Sequence, residues 1–519
     1  MNNAQNNKRI AKNTFYLYIR MGITLLVQFY TSRVVLNILG VEDFGLWSVI
    51  ASLIISFSFI SGPLTTATQR FLSFDIGCGG NELNKIFNTS LLLFILIGAV
   101  LFLLLETVGV WFLNMHMNIV PEKISVANWV FQFSIFSFVI SFIRMPYESA
   151  IIAYERMSFY AILCMLEAVL SLGMVYVLLF SEGINKLILY GALIFASKLV
   201  ITLCYKLYCD KKIICTRFCF FRDRAMIVRI AQFSGWNLFG AMSSVSATQG
   251  INVLINMFFG VVVNASYGIA SQVGSGIKSF VDNFQKAANP QIVKSYASGD
   301  MDYLFRLICV VSKYSFFLLF ALACPVMFNM DFLLRLWLGY AIPPHTAVFC
   351  NLILVQMLVV SFATPMDTVV FATGKIRNYQ ITLSIIIYFN IIVTYIFFRK
   401  GFDPAVALIV KCFVEFLILI VRILFIRKLI KLSFREYARK TLIPAIGVLC
   451  ITWGLMFGVC HVIVARNTVE WEKLLVSCAM FLLIYSISLW FIGIGSQERL
   501  IIEKWITNKI KTHENKTLF

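Results

Sequence analysis

Arg20 lies within the run NTFYLYIRMGITLLVQFYTSRVVLNIL, where apolar neighbours leave a guanidinium little water to hydrate it. An arginine in such a run is costly and usually faces a bundle interior or a water-filled cavity. Helical spacing puts Asn13, Arg20, Thr24 and Thr31 on one face, whereas Arg33 points elsewhere and reads equally as an interfacial anchor. The chemistry that suits Arg20 is anion recognition: a planar fork makes charge-assisted, bidentate hydrogen bonds, and no carboxylate in the first two apolar runs stands at its depth. Other charges also interrupt apolar runs. Lys278 and Asp282 stand at i,i+4 and can neutralise one another. Glu167 and Lys198 fall at similar depth in neighbouring antiparallel runs and are expected partners, and a carboxylate so placed is what ion coupling would use. Lys411, Glu415 and Arg422 share a face, and Lys313 and Asp367 are single charges in their runs. Asn237, Ser244, Thr248 and Asn252 form a second polar stripe, for which interhelical hydrogen bonding is an equal reading.

Familiar catalytic patterns are missing. The chain has no Walker loop, no G-x-S-x-G and no H-E-x-x-H, so ATP hydrolysis and the common hydrolase chemistries are not indicated. Cys204, Cys209, Cys215 and Cys219 are irregularly spaced with no histidine nearby, and read as reduced thiols in place of a zinc site. His116, His345, His461 and His513 form no set. No cofactor is expected beyond a coupling proton or sodium ion, and no metal.

These side chains need helices to position them. The sequence is 60% hydrophobic and 13% charged over 519 residues, with mean hydropathy +0.86, which predicts an all-α polytopic membrane protein. About fourteen apolar runs of spanning length recur, among them 13–38, 44–62, 125–147, 227–256, 264–285 and 404–427. The net charge of +19 is dispersed over short connections, so it sets topology and does not indicate nucleic acid. Basic residues crowd the N-terminus, 206–229, 427–440 and the C-terminal tail, while alternate turns carry few, which places both termini in the cytoplasm and requires an even span count. The stretch 13–77 returns at 235–299, with Gln69–Gly77 and Gln291–Gly299 equal in length and Ser73 in register with Ser295. Duplication predicts two pseudo-symmetric six-helix lobes, 1–210 and 227–428, joined by a connection over 211–226 and followed by two additional helices and a tail over 429–519. Short interfacial helices are expected over 65–85 and 285–306.

Four stretches carry a resemblance: KNTFYLYIRMGITLLVQFYTSRVVLNILGVEDFGLW, MPYESAIIAYERMSFYAILCMLEAVL, NFQKAANPQIVKSYASGD and ATGKI at 372–376. Together they resemble the Wzx-type flippases for lipid-linked oligosaccharides, in the polysaccharide transporter family of the superfamily that also holds the multidrug and toxin extrusion transporters. The resemblance implies alternating access by two six-helix lobes about a cationic cavity. The implied substrate is an undecaprenyl pyrophosphate-linked oligosaccharide repeat unit, for O-antigen or capsule assembly at the bacterial cytoplasmic (inner) membrane. Arg20 and Lys278 fall on helices that line this cavity in relatives and are the expected phosphate ligands, although the second span has no basic residue within it. Gln28, Tyr30, Asn237 and Asn252 are candidates for the sugars, and Glu167, Asp282 and Asp367 for coupling. Implied partners are membrane lipids, a polysaccharide polymerase and glycosyltransferases. A cation-coupled drug exporter of the same fold is the alternative, and its cationic substrates should favour carboxylates. A glycan-assembling enzyme should show a large external loop or a clustered His and Asp pair, and the chain has neither.

Overall fold

A computed structural model describes residues 3–115, 120–181, 185–219, 223–339, 342–430, 433–465, 470–495 and 498–499. Among these every regular element is helical. Among the described residues eleven helices are long and apolar enough to cross a membrane. The difference from fourteen has three sources. One helix, Arg224–Ala297, runs 74 residues and contains both the seventh and the eighth expected spans. The second expected span is divided, because the helix Asn3–Ile55 gives way to a 3-10 turn over Ser56–Ile60 and restarts as Ser61–Cys78, with Pro63 in its first turn. The twelfth, Val406–Ile430, is helical but carries Lys411, Glu415, Arg422, Arg427 and Lys428, which lower its apolarity.

The duplication is visible in the backbone. Asn3–Ile55 turns at Gly40 (φ 78°, ψ 170°) and Arg224–Ala297 turns at Gly260 (φ 80°, ψ −178°), a conformation open essentially to glycine alone. Each copy then ends at a second left-handed glycine, and Gly40 is as far from Gly79 as Gly260 is from Gly299. These landmarks register Gly79, in place of Gly77, with Gly299. A separate short helix, Ser61–Cys78, stands where one was expected over 65–85, whereas residues 285–297 continue the long helix through Pro290 instead of forming a separate element.

The chain packs into two compact units. The first is Met1–Val245 with Lys286–Tyr303 and Phe371–Thr382. Its apolar core gathers Ile50, Leu105, Val130, Phe131 and Leu187 from the helices Asn3–Ile55, Ile124–Ala153 and Lys186–Lys212 and the turn Leu105–Gly109. The second is Ser246–Gln285 with Leu304–Val370 and Leu383–Phe519, and its core gathers Ile255, Tyr267, Phe349, Leu354 and Leu408. These boundaries cut across the lobes expected from the sequence, because the end of the long helix and the end of Thr346–Thr373 pack with the N-terminal helices.

Gly77 shows how closely they pack: a Cβ there would lie 2.7 Å from both the Lys294 carbonyl oxygen and the Ala297 Cβ, so two backbones meet where only a hydrogen fits.

Candidate functional site

Within the first unit, Asn3–Ile55 packs along Met157–Phe180, and this brings Arg20 to Tyr160. Arg20 Nη1 donates to the Tyr160 hydroxyl at 3.0 Å and lies 3.7 Å from Cys164 Sγ. The same hydroxyl accepts from Lys286 Nζ at 2.9 Å, and that ammonium lies 4.3 Å from the Tyr160 ring centroid. Two cations thus converge on one neutral oxygen. The carboxylate at this cluster is Glu148, 3.3 Å from Lys286 Nζ. Tyr160 is buried, while Lys286 and Glu148 keep part of their side-chain surface exposed.

A seam continues from Glu148 along the end of Ile124–Ala153 to Glu155, two turns on. Glu155 has no exposed side-chain surface, and its carboxylate takes Lys294 Nζ at 2.5 Å, Arg9 Nε at 3.1 Å and Gln291 Nε2 at 2.8 Å to each oxygen. Its backbone is left-handed, at φ 58°. At the corresponding turn after Thr346–Thr373, Gly374 has φ 75° and the ligand is Arg70, which donates from Nε to the Phe371 carbonyl at 3.0 Å and from Nη2 to that of Ala372 at 2.7 Å. Phe71, Phe74 and Phe233 lie against the Arg70 guanidinium. Burial, with repulsion from Arg229, lowers the Arg70 pKa to about 10, so it stays charged at neutral pH.

The expected site residues divide between the two units. Arg20, Gln28, Tyr30, Glu167 and Asn237 belong to the first, and Asn252, Lys278, Asp282 and Asp367 to the second. Gln28 and Tyr30 are exposed two to three turns beyond Arg20. Asn237 is buried, its amide 3.4 Å from the Pro63 carbonyl, and the Asn252 amide lies 3.4 Å from Gln249 Oε1. Glu167 meets Lys198 as an ion pair, joined by Arg144 at 3.8 Å. Lys278 and Asp282 pair at 3.2 Å, about half exposed.

Two charges that stand alone in their runs find partners elsewhere in the fold. Arg422 Nε lies 2.8 Å from Asp367, and Lys313 is held at 2.7 Å by Glu498. Both partners sit on distant stretches of chain, which spacing does not reveal.

Sequence reading passed over Glu148, Glu155, Tyr160, Arg70, Lys286 and Lys294. Ending the fourth and eighth spans before their charged residues left most of these in connections, yet the helices run on through them. The signal was present in MPYESAIIAYERMS and NFQKAANPQIVKSYASG, which hold the acidic and basic halves of one seam. Among the described residues no group of three or more His, Cys, Asp or Glu side chains could hold a metal ion. Cys209 Sγ lies 3.8 Å from the Tyr147 carbonyl and Cys215 Sγ 3.6 Å from the Tyr154 hydroxyl.

Solved structures share the fold. The chain has the fold of the MATE transporters of the MOP superfamily. A multidrug resistance MATE family transporter in an outward-facing conformation matches with a TM-score of 0.70 at 14% identity, over 82% of this chain and 96% of that one. A MATE in the bent conformation matches at 0.69 and 16% identity, over 84% and 99%. The MOP superfamily transporter from Pyrococcus furiosus Vc1, for which reverse polarity of the binding pocket suggests a different function, matches at 0.69 and 14%, over 82% and 96%. No family model and no curated protein matches the sequence. At these identities the MATE likeness speaks for the fold, and the polarity of the site must speak for the substrate.

Proposed function

We propose that this protein is a flippase of the Wzx type, moving an undecaprenyl pyrophosphate-linked oligosaccharide across the bacterial cytoplasmic membrane for surface polysaccharide assembly, by alternating access. The observation that carries this reading is the meeting of Arg20 and Lys286 on the Tyr160 hydroxyl with Glu148 alongside, a cluster with surplus positive charge. A diphosphate cannot cross hydrocarbon unaided, and its oxygens would accept from both cations where Tyr160 now does. Lys286 takes the place that the sequence gave to Lys278, whose ammonium is engaged by Asp282. Gln28 and Tyr30, farther along the Arg20 helix, suit the sugars. Coupling to a proton or sodium ion falls to Glu167 with Lys198. Such a protein would work beside glycosyltransferases and a polymerase.

The likeness to multidrug transporters supports a second reading, a cation-coupled exporter. The two differ in the sign of the ligand. Titration calorimetry of the purified protein with inorganic pyrophosphate and with a lipophilic cation separates them. Pyrophosphate should bind, and Arg20→Gln and Lys286→Gln should each weaken it roughly ten- to a hundredfold, the scale of a lost hydrogen bond to a charged group. Arg20→Lys should recover part of the loss, since charge survives without the fork. Binding of the cation alone, unaffected by Arg20→Gln, would refute the flippase reading and favour the exporter.

A further inference from the structure

A half-open crevice of about 290 Å³ lies on the first unit, apart from the Arg20 cluster. Leu91 and Ile95 from Leu83–Leu104, Ile143 and Tyr147 from Ile124–Ala153, and Leu203 from Lys186–Lys212 supply its apolar walls. Ile95, Leu203 and Phe218 each leave more than a third of their surface exposed, so the opening faces the hydrocarbon around these apolar helices. Its polar lining lies along one helix face and in the connection that follows. Thr202, Lys206 and Asp210 follow one another at four-residue intervals along a single helix face, and Thr216 lies beside them in the interhelical connection. That connection is pinned: the Asn84 amide donates to the Cys215 and Arg217 carbonyls at 2.9 Å, the Asn88 amide to that of Arg217 at 3.1 Å, and Asn88 Oδ1 accepts from Cys219 N at 3.2 Å.

The crevice therefore joins an apolar slot to one cation and one anion. Among the described residues no ion pair engages Lys206 or Asp210, although one helical turn separates them. We propose that it holds a membrane phospholipid with a zwitterionic, primary-amine headgroup, a phosphatidylethanolamine. One acyl chain lies between Ile95, Ile143 and Leu203, the phosphate meets Lys206, and the ammonium meets Asp210. An anionic headgroup would satisfy Lys206 but leave Asp210 facing negative charge, so the pair selects for the amine. Because Thr216 and Phe218 belong to the connection that follows Lys186–Lys212, an occupied crevice braces that connection against the helices. The lipid serves as a bound structural ligand, independent of what is transported.

Native mass spectrometry of the full-length protein in detergent, offered equal amounts of dioleoyl phosphatidylethanolamine and dioleoyl phosphatidylglycerol, tests this. The wild type should retain the ethanolamine lipid about fivefold more strongly, the scale of one partly exposed ion pair. Asp210→Asn should abolish the preference without reducing total lipid bound, and Lys206→Gln should weaken both lipids. Leu203→Trp, which narrows the apolar slot and leaves both charges in place, should lower occupancy by either lipid. Equal retention by the wild type, or a preference that survives Asp210→Asn, overturns the headgroup assignment. Unchanged occupancy in Leu203→Trp overturns the acyl site itself.

Discussion

Glu155 shows what one side chain is asked to do. A carboxylate with no exposed surface takes two cations and a glutamine amide, and it does so from a left-handed backbone that a glutamate adopts only when its surroundings hold it there. Its partners come from the first turns of Asn3–Ile55 and the last turns of Arg224–Ala297, so one residue ties the ends of two helices to the turn between Ile124–Ala153 and Met157–Phe180. Removing the charge leaves Lys294 and Arg9 beside a neutral amide. Glu155→Gln should therefore lower stability by about 3–5 kcal/mol, the range for a broken buried pair, read as a fall in the denaturation midpoint of the purified protein. Glu42→Gln, which removes an exposed partner of Lys123, should cost no more than about 1 kcal/mol, and an equal loss in both variants would contradict the assigned role.

Among the elements, the two kinked helices are the units that repeat. Each turns at a glycine whose φ and ψ a side chain does not tolerate, and the chain beyond each glycine supplies a stretch to the first compact unit, Ser61–Cys78 after Gly40 and residues 286–297 after Gly260. A Cβ would meet nothing within 4 Å at either Gly40 or Gly260, so any penalty there comes from backbone conformation and not from crowding. Gly40→Ala and Gly260→Ala should each destabilise by about 1–3 kcal/mol, by similar amounts in the two copies. Gly235→Ala, at an ordinary helical glycine with open space around it, should instead be neutral or gain up to about 1 kcal/mol. Thermal unfolding of the three variants in detergent checks the contrast, and a loss at Gly235 equal to that at Gly40 would remove the backbone explanation.

At the scale of the whole molecule, the membrane decides which connections lie on the same side. Alternation of the basic connections predicts that the turn at Glu42 and the connection at Lys211 lie on opposite faces. In a cysteine-free background, Glu42→Cys should react with an impermeant maleimide added outside intact cells, and Lys211→Cys should react only after permeabilisation. Labelling of both from outside would overturn the even span count with both ends inside.

Much of this architecture was legible in the sequence because hydrocarbon imposes it locally. Apolar runs of spanning length, basic connections and a duplicated stretch identify the helices and the repeat, since each depends on residues near one another in the chain. Arg20 was legible for the same reason: a guanidinium in an apolar run needs a partner, whatever the fold. The partner itself was not. Tyr160 and Lys286 reach Arg20 from segments far away in sequence, and Lys286 sits where a span seemed to have ended. Spacing was enough for Lys278 with Asp282, and depth matching for Glu167 with Lys198, but Asp367 and Lys313 look solitary until Arg422 and Glu498 fold onto them. Local chemistry sets which groups cannot stay alone in an apolar setting, and only the packing of distant helices decides which groups answer them.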